Sequence, residues 1–189
     1  MAKGYKRRSK MGNRQPRQIK IPAKARFMAF TQEYNGLTNK IVSAVGLTPA
    51  FDPKDYPDGN MPYAVTQKNA LWDTGATNSV LTTVTVKELG LTAVGTTTVN
   101  HAGGTGQGHA YQSDTYLVNF RLPNHVGVVG VLVSECEDIE GNFGAIIGMD
   151  IIARGDFSIT NVNQKTTVSF RVPSMRTIDY VGEHKRLIK

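Results

Sequence analysis

The fold is decided by residues 70–81, which read ALWDTGATNSVL. Apolar residues lead into a single aspartate, Asp73, and a small glycine-bearing turn follows it at once. A second apolar run then leaves the turn. Burying a carboxylate between apolar segments costs several kcal/mol unless another group shares its charge or donates hydrogen bonds to it. The position of Asp73 therefore predicts a buried carboxylate with a function.

Composition predicts one globular domain with extensions. The chain has 189 residues, 40% hydrophobic and 20% charged, which suits a single core. Its one cysteine, Cys136, excludes an internal disulfide or a multi-cysteine metal site and suits a reducing compartment. No apolar run approaches the ~20 residues that cross a bilayer, and no secretory signal is visible. We expect a cytoplasmic protein in which Cys136 is a small hydrophobe and not a nucleophile.

The net charge of +7 is concentrated at the N-terminus. Residues 1–26 contain ten lysines and arginines and no acidic residue, which leaves 12 of the 22 basic residues against all 15 acidic ones in the rest. Few large apolar residues occur in residues 1–24, so we expect a disordered basic extension. Such an extension suits weak contact with nucleic acid or another anionic surface, or else a solvated or cleavable tail.

Short apolar-rich runs follow one another over residues 25–172 and predict a compact all-β domain. The predicted strands include 63–66, 70–72, 79–81, 96–100, 110–120, 126–133 and a closing hairpin of 156–160 with 166–172. Strand 126–133 is nearly continuous in apolar residues, which is compatible with burial on both faces, and its glycines indicate a close backbone approach or a bulge. Two brief helices are predicted at 85–90 and 149–154. Residues 173–189 form a polar and basic C-terminal extension without an assignable structure.

A second glycine motif, Ile146-Ile147-Gly148, follows Asp73 by some 70 residues, and the glycine-rich residues 101–109 lie between the two motifs. Asp-Thr-Gly alone recurs by chance, but its apolar-flanked form with the other two features in this order is specific. The pattern resembles the retropepsin family of aspartic proteases over roughly residues 25–172. The continuation Met149-Asp150 is more similar to cellular, bacterial-type members than to retroviral ones.

The resemblance implies a closed β-barrel of the acid-protease type, without a cofactor or metal, and it assigns roles to individual residues. The implied catalytic residues are Asp73, Thr74 and Gly75. The implied substrate-binding residues are Ala76, Thr77, Gly103, Gly104, Thr105, Gly106, Ile146, Ile147 and Gly148. Among them, residues 103–106 belong to a flap that closes over the substrate, and the second glycine motif packs beneath the aspartate turn. Thr74 is expected to hydrogen-bond to its counterpart across the site.

The chemistry requires two carboxylates, because one must act as base on a water molecule while the other acts as acid. Two carboxylates about 3 Å apart share one proton. The chain has one Asp-Thr-Gly, and neither Asp150 nor Asp156 has the turn residues. We therefore expect a homodimer with one Asp73 from each subunit. Retroviral members pair an arginine at the position of Met149 with an acid at that of Thr77, and this ion pair cannot form here.

The sequence thus predicts an aspartic endopeptidase acting on proteins or peptides. One alternative is a catalytically silent retropepsin fold that serves dimerisation or binding, and another is nucleic-acid binding through the basic tail. The intact Asp73 motif favours proteolysis over the first alternative. Other sites are disfavoured, because the four histidines lack a zinc-site spacing, the glycine-rich run is not a phosphate fingerprint, and Ser79 lies in no nucleophile elbow.

Overall fold

The computed structural model describes residues 27–100 and 110–188, and these are mostly β-structure, as predicted. The predicted basic extension 1–24 and the predicted flap residues 103–106 lie outside the described residues. The strands are β1 (Met28–Glu33), β2 (Val42–Pro49), β3 (Thr66–Trp72), β4 (Val80–Thr82), β5 (Gly95–Asn100), β6 (Ala110–Leu122), β7 (Val126–Cys136), β8 (Ala145–Ile147), β9 (Asp156–Thr160) and β10 (Thr167–Val172). The helices are α1 (Thr83–Glu88), α2 (Met149–Ile152) and α3 (Tyr180–Leu187), with short 3₁₀ turns at Pro53–Asp55, Pro123–His125 and Val162–Gln164.

Six strands close into a barrel in the order β2-β3-β8-β4-β7-β6, and β6 returns to pair with β2. The long strand β6 also carries β5. This confirms the predicted closed β-barrel. Two pairs of neighbours are parallel, β3 with β8 and β4 with β7, and the others are antiparallel. As a result, β8 lies between the strand that enters the aspartate turn and the strand that leaves it.

A second, antiparallel sheet in the order β1-β10-β9 joins the two ends of the domain, and we call it the terminal sheet. It contains the predicted closing hairpin. Its aromatic side chains Phe30, Phe157 and Phe170 pack around Trp72 of the barrel, with the Phe157 ring stacked 5.1 Å from the Trp72 ring, centroid to centroid. The indole of Trp72 also donates a hydrogen bond of 3.1 Å to the Ser43 hydroxyl. The residue before the aspartate is therefore fixed by both sheets.

Strand β7 is not buried on both faces, so that interpretation was wrong. Val129 and Leu132 are 48% and 52% exposed, whereas Val131 is fully buried. The strand forms a barrel wall, which has one face in the core and one in solvent. Gly130 has φ +64°, and its N–H donates 2.9 Å to the Asn119 side chain where the pairing with β6 shifts register. The glycine thus marks a bulge.

The first two helices lie where the sequence predicts them. Helix α1 begins after Thr82, whose hydroxyl accepts the amide of Thr85, and it ends before Gly90 at φ +60°. Helix α3 was not predicted; its first turn is capped by the Asp179 side chain, and none of its residues is buried. Among the described residues, no helix is long and apolar enough to cross a membrane.

Candidate active site

The aspartate turn, residues 73–79, connects β3 to β4 and packs against β8. The amide of Asp73 donates 3.0 Å to the carbonyl of Ile147. Ile146 pairs with Leu71 on one side and with Val80 on the other, and Ile147 is fully buried. The second glycine motif therefore packs directly against both strands that hold the turn.

Gly148 lets the backbone of the turn come close. A Cβ atom at this position would lie 2.6 Å from the carbonyl carbon and oxygen of Asn78 and 2.9 Å from the carbonyl oxygen of Ala76. Real Cβ atoms do not approach backbone atoms so closely, so another residue here would displace the turn. The sequence motif requires its glycine for this contact.

The start of α2 is bonded to the same turn. The amide of Met149 donates 2.8 Å to the carbonyl of Ala76, and the amide of Asp150 donates 3.1 Å to that of Thr77. Retroviral members place a side-chain ion pair at the positions of Met149 and Thr77. In this chain, backbone hydrogen bonds connect the two segments.

Ser79 holds the aspartate turn to the start of α2 through two hydrogen bonds of its hydroxyl. Its fully buried hydroxyl donates 2.8 Å to Oδ1 of Asp150 and accepts 3.1 Å from the amide of Gly148. Sequence reasoning weighed Ser79 only as a nucleophile and missed this role. A buried hydroxyl must find partners, and its place between the turn and β4 was the available signal.

The carboxylate of Asp73 is half-buried and faces a cleft, so the expectation of a buried carboxylate was wrong. Its apolar neighbour Trp72 points into the core, while the acidic side chain does not. The amide of Gly75 donates 2.8 Å to Oδ1 of Asp73, and a Cβ atom at Gly75 would lie 3.1 Å from that oxygen. The hydroxyl of Thr74 is exposed and makes no hydrogen bond to a described residue. The turn thus presents an oriented carboxylate to the surface of the protomer.

The cleft has a volume of about 500 Å³ and is lined by five of the eight predicted site residues that the structure describes. The predicted residues that line it are Asp73, Gly75, Ala76, Thr77 and Ile146. Ile147 and Gly148 lie buried beneath the turn, Thr74 lies in the turn, and residues 103–106 are not described. Lining residues that sequence reasoning missed are Asn78, Val80, Thr97, Thr98, Val99 and Ser134. Three of these belong to β5, which leads into the predicted flap, and that position was a usable signal.

The other reactive groups do not form a competing site. Burial, with the nearby charges of Asp138 and Glu135, raises the pKa of Cys136 to about 11, so the thiol is not ionised at neutral pH. No group of three or more histidine, cysteine, aspartate or glutamate side chains in residues 27–100 and 110–188 is arranged to hold a metal ion. Within the described part of the chain, the aspartate cleft is the site with recognisable chemistry.

Residues 64–151 match the family described as aspartyl protease. The matched segment runs from just before β3 into α2 and includes both glycine motifs. The match agrees with the resemblance to aspartic proteases that the motifs indicated over this part of the chain. The family match and the barrel together support aspartic protease activity in general terms. No match was found among curated proteins.

Three solved structures are similar to the chain at low identity. A retropepsin-like aspartic protease from Rickettsia conorii has 9% identity and a TM-score of 0.45, covering 79% of this chain and 98% of its own. The retroviral protease-like domain of Ddi1 from Leishmania major has 17% identity and a TM-score of 0.33, with coverages of 73% and 97%. A Legionella pneumophila protein of unknown function has 16% identity and a TM-score of 0.31, with coverages of 59% and 84%.

Proposed function

We propose that the protein is an aspartic endopeptidase in which two Asp73 carboxylates, one from each subunit of a homodimer, activate a water molecule for peptide hydrolysis. The observation that carries the proposal is the half-buried, oriented carboxylate of Asp73, which lines a cleft of about 500 Å³. In a purely structural aspartate, both carboxylate oxygens would accept hydrogen bonds from neighbouring donors, whereas Asp73 accepts one, from Gly75.

The reaction needs one carboxylate as base and one as acid. When two carboxylates lie about 3 Å apart, one stays protonated because the two negative charges repel. The unprotonated Asp73 takes a proton from water, the water oxygen attacks the peptide carbonyl carbon, and the protonated Asp73 donates its proton to the carbonyl oxygen. The tetrahedral intermediate then collapses: the Asp73 that took the proton from water donates it to the leaving amine nitrogen, and the other Asp73 takes a proton back from a hydroxyl of the intermediate.

The second carboxylate comes from another copy of the chain. The sequence has one Asp-Thr-Gly, and the exposed turn leaves Asp73, Thr74 and Gly75 free to meet the same residues of a partner. A two-fold axis through this point brings the two turns together, and Thr74 then finds its hydrogen-bond partner across the axis. Residues 103–106 would cover the bound peptide.

The test is to replace Asp73 by asparagine and measure cleavage of a denatured protein between about pH 4 and pH 7. Asp73→Asn should lower kcat/KM by about a thousandfold or more. Asp55→Asn is the control, because it removes an exposed carboxylate in a loop outside the cleft. Equal cleavage by wild type and Asp73→Asn would refute the catalytic role and favour a silent binding module.

A mixing experiment tests the shared site. At fixed total protein, a 1:1 mixture of wild type and Asp73→Asn should retain roughly one quarter of the wild-type activity, since only dimers of two wild-type subunits carry two carboxylates. Mixing with Asp55→Asn should leave the activity unchanged. Retention of one half in the first mixture would show that each subunit works alone. Loss of salt-sensitive nucleic-acid binding on removal of residues 1–24 would identify a separate role of the basic tail.

A further inference from the structure

A second pocket adjoins the aspartate cleft and shares three lining residues with it, and we call it the side pocket. Its volume is about 260 Å³, and its walls include Asn78, Thr97, Thr115, Ser134, Asp150 and Arg154. Asn78, Thr97 and Ser134 also line the active cleft. A peptide that lies along the cleft therefore passes the entrance of the side pocket and can place one side chain in it.

The side pocket contains a guanidinium group without a carboxylate partner. Arg154 donates from Nε to the carbonyl of Asp150 at 3.0 Å and from Nη1 to the carbonyl of Val129 at 3.4 Å. The ion pairs among residues 27–100 and 110–188 are Lys68 with Glu88 and Arg171 with Asp156. Arg154 is thus anchored by backbone carbonyls, while its Nη2 makes no hydrogen bond to a described residue.

Asp150 also lines the side pocket, and one oxygen of its carboxylate is already engaged. Oδ1 accepts 2.8 Å from the Ser79 hydroxyl and 3.0 Å from the amide of Ile151. These donors share its negative charge. Thr97, Thr115 and Ser134 also line the side pocket, and their hydroxyl groups are donors that suit an anionic guest.

We propose that the side pocket selects an acidic side chain of the peptide substrate and that Arg154 is the residue that determines this specificity. A guanidinium pairs with a carboxylate through charge-assisted hydrogen bonds, which are stronger than those to a neutral amide. Arg154 keeps one terminal nitrogen for this contact. The inference rests on the proposed endopeptidase function, and it adds the class of substrate.

The test uses matched peptides that carry glutamate, glutamine or lysine at each of about four positions on either side of one cleavable bond. At one position, the wild-type protein should cleave the glutamate peptide about tenfold better in kcat/KM than the glutamine peptide. Arg154→Gln should abolish this preference and leave cleavage of the glutamine peptide within about twofold, because the loss concerns a single charge contact. Arg154→Lys should keep part of the preference.

Lys87→Gln is the control, since it removes an exposed positive charge outside both pockets. It should retain the glutamate preference, and raised salt should weaken that preference in wild type. A lysine preference, no charge preference, or a glutamate preference that survives Arg154→Gln would overturn the inference while leaving the endopeptidase function intact. Failure of wild type to cleave any peptide or denatured protein would remove both.

Discussion

Two aspartates in this molecule have opposite environments. Asp156, in the terminal sheet, pairs with Arg171 and also accepts hydrogen bonds from the Ser174 hydroxyl and the Met175 amide. The Ser174 hydrogen bond above all, with those of Met175 and Arg171, holds the pKa of Asp156 well below its usual range. Asp73 accepts one hydrogen bond, from Gly75, and faces a cleft.

The difference separates a structural carboxylate from the one that we propose to be catalytic. Both carboxylate oxygens of Asp156 accept hydrogen bonds that hold the segment after β10 against the terminal sheet. The turn that holds Asp73 is instead rigid through its backbone and through Ser79, so that the acid itself remains available. Rigidity supplied from outside the reacting group is what a catalytic site needs.

The largest expected effect is that loss of the Asp73 carboxylate lowers activity, whereas loss of the Asp156 carboxylate lowers stability. Asp73→Asn should lower kcat/KM by about a thousandfold or more and leave the thermal midpoint nearly unchanged, because its side chain holds little else in place. Asp156→Asn should lower the thermal midpoint by several degrees and leave kcat/KM within about twofold. Calorimetry and peptide cleavage measure both. If the two variants behave alike, the distinction between the two carboxylates is wrong.

A smaller effect should separate two glycines. Gly148→Ala should destabilise the protein by about 1–3 kcal/mol and reduce activity, since its Cβ atom meets the backbone of Ala76 and Asn78. Gly127→Ala places its Cβ atom in open space and should change the free energy of unfolding by less than about 0.5 kcal/mol. Urea unfolding measures both. A neutral Gly148→Ala would show that the turn is loosely held.

A further test compares two serine hydroxyls. Ser79→Ala should cost about 1–2 kcal/mol, because the buried amide of Gly148 loses its acceptor. The expected fall in kcat should exceed the change in KM, since the turn positions Asp73. Ser158→Ala in the terminal sheet, where the hydroxyl makes no hydrogen bond to a described residue, should be nearly neutral. Equal losses of unfolding free energy in the two variants would contradict the role of Ser79 in holding the turn.

The smallest effect concerns acid stability. Because the pKa of Asp156 is lowered in the folded state, its contribution is complete above the ordinary carboxyl pKa of about 4 and is lost as the pH falls below that value. The thermal midpoint of wild type should therefore fall more steeply from about pH 4 to pH 2 than that of Asp156→Asn. Parallel curves for the two proteins would contradict a lowered pKa.

Much of the barrel could be predicted from the sequence because its strands are short, apolar and bounded by clear turn signals. The aspartate motif and Ile146-Ile147-Gly148 were found because each needs a glycine or an acid at a fixed place. The interpretation of β7 as buried on both faces was wrong because Val129 and Leu132 face solvent on the outside of the barrel. Apolar composition does not tell which face of a strand meets solvent.

The site was only partly predictable, because several of its residues act through distant contacts. Ser79 and Asp150 lie in different motifs, and nothing local indicates that they bond. Thr97 and Ser134 reach the cleft from strands that are remote in sequence. Helix α3 was missed because its few apolar residues are all exposed, which leaves no core-facing pattern to detect.

The bonds that orient the aspartate turn also join parts of the chain that are far apart in sequence. Ser79 contacts Gly148 and Asp150, which lie 69 and 71 positions further along the chain. Contacts of such long range form late, since the entropy of closing the loop must be offset first. At a synthesis rate of about 5–20 residues per second, the aspartate leaves the ribosome several seconds before the residues that support it. During synthesis, Asp73 is therefore present for several seconds without the contacts that orient it.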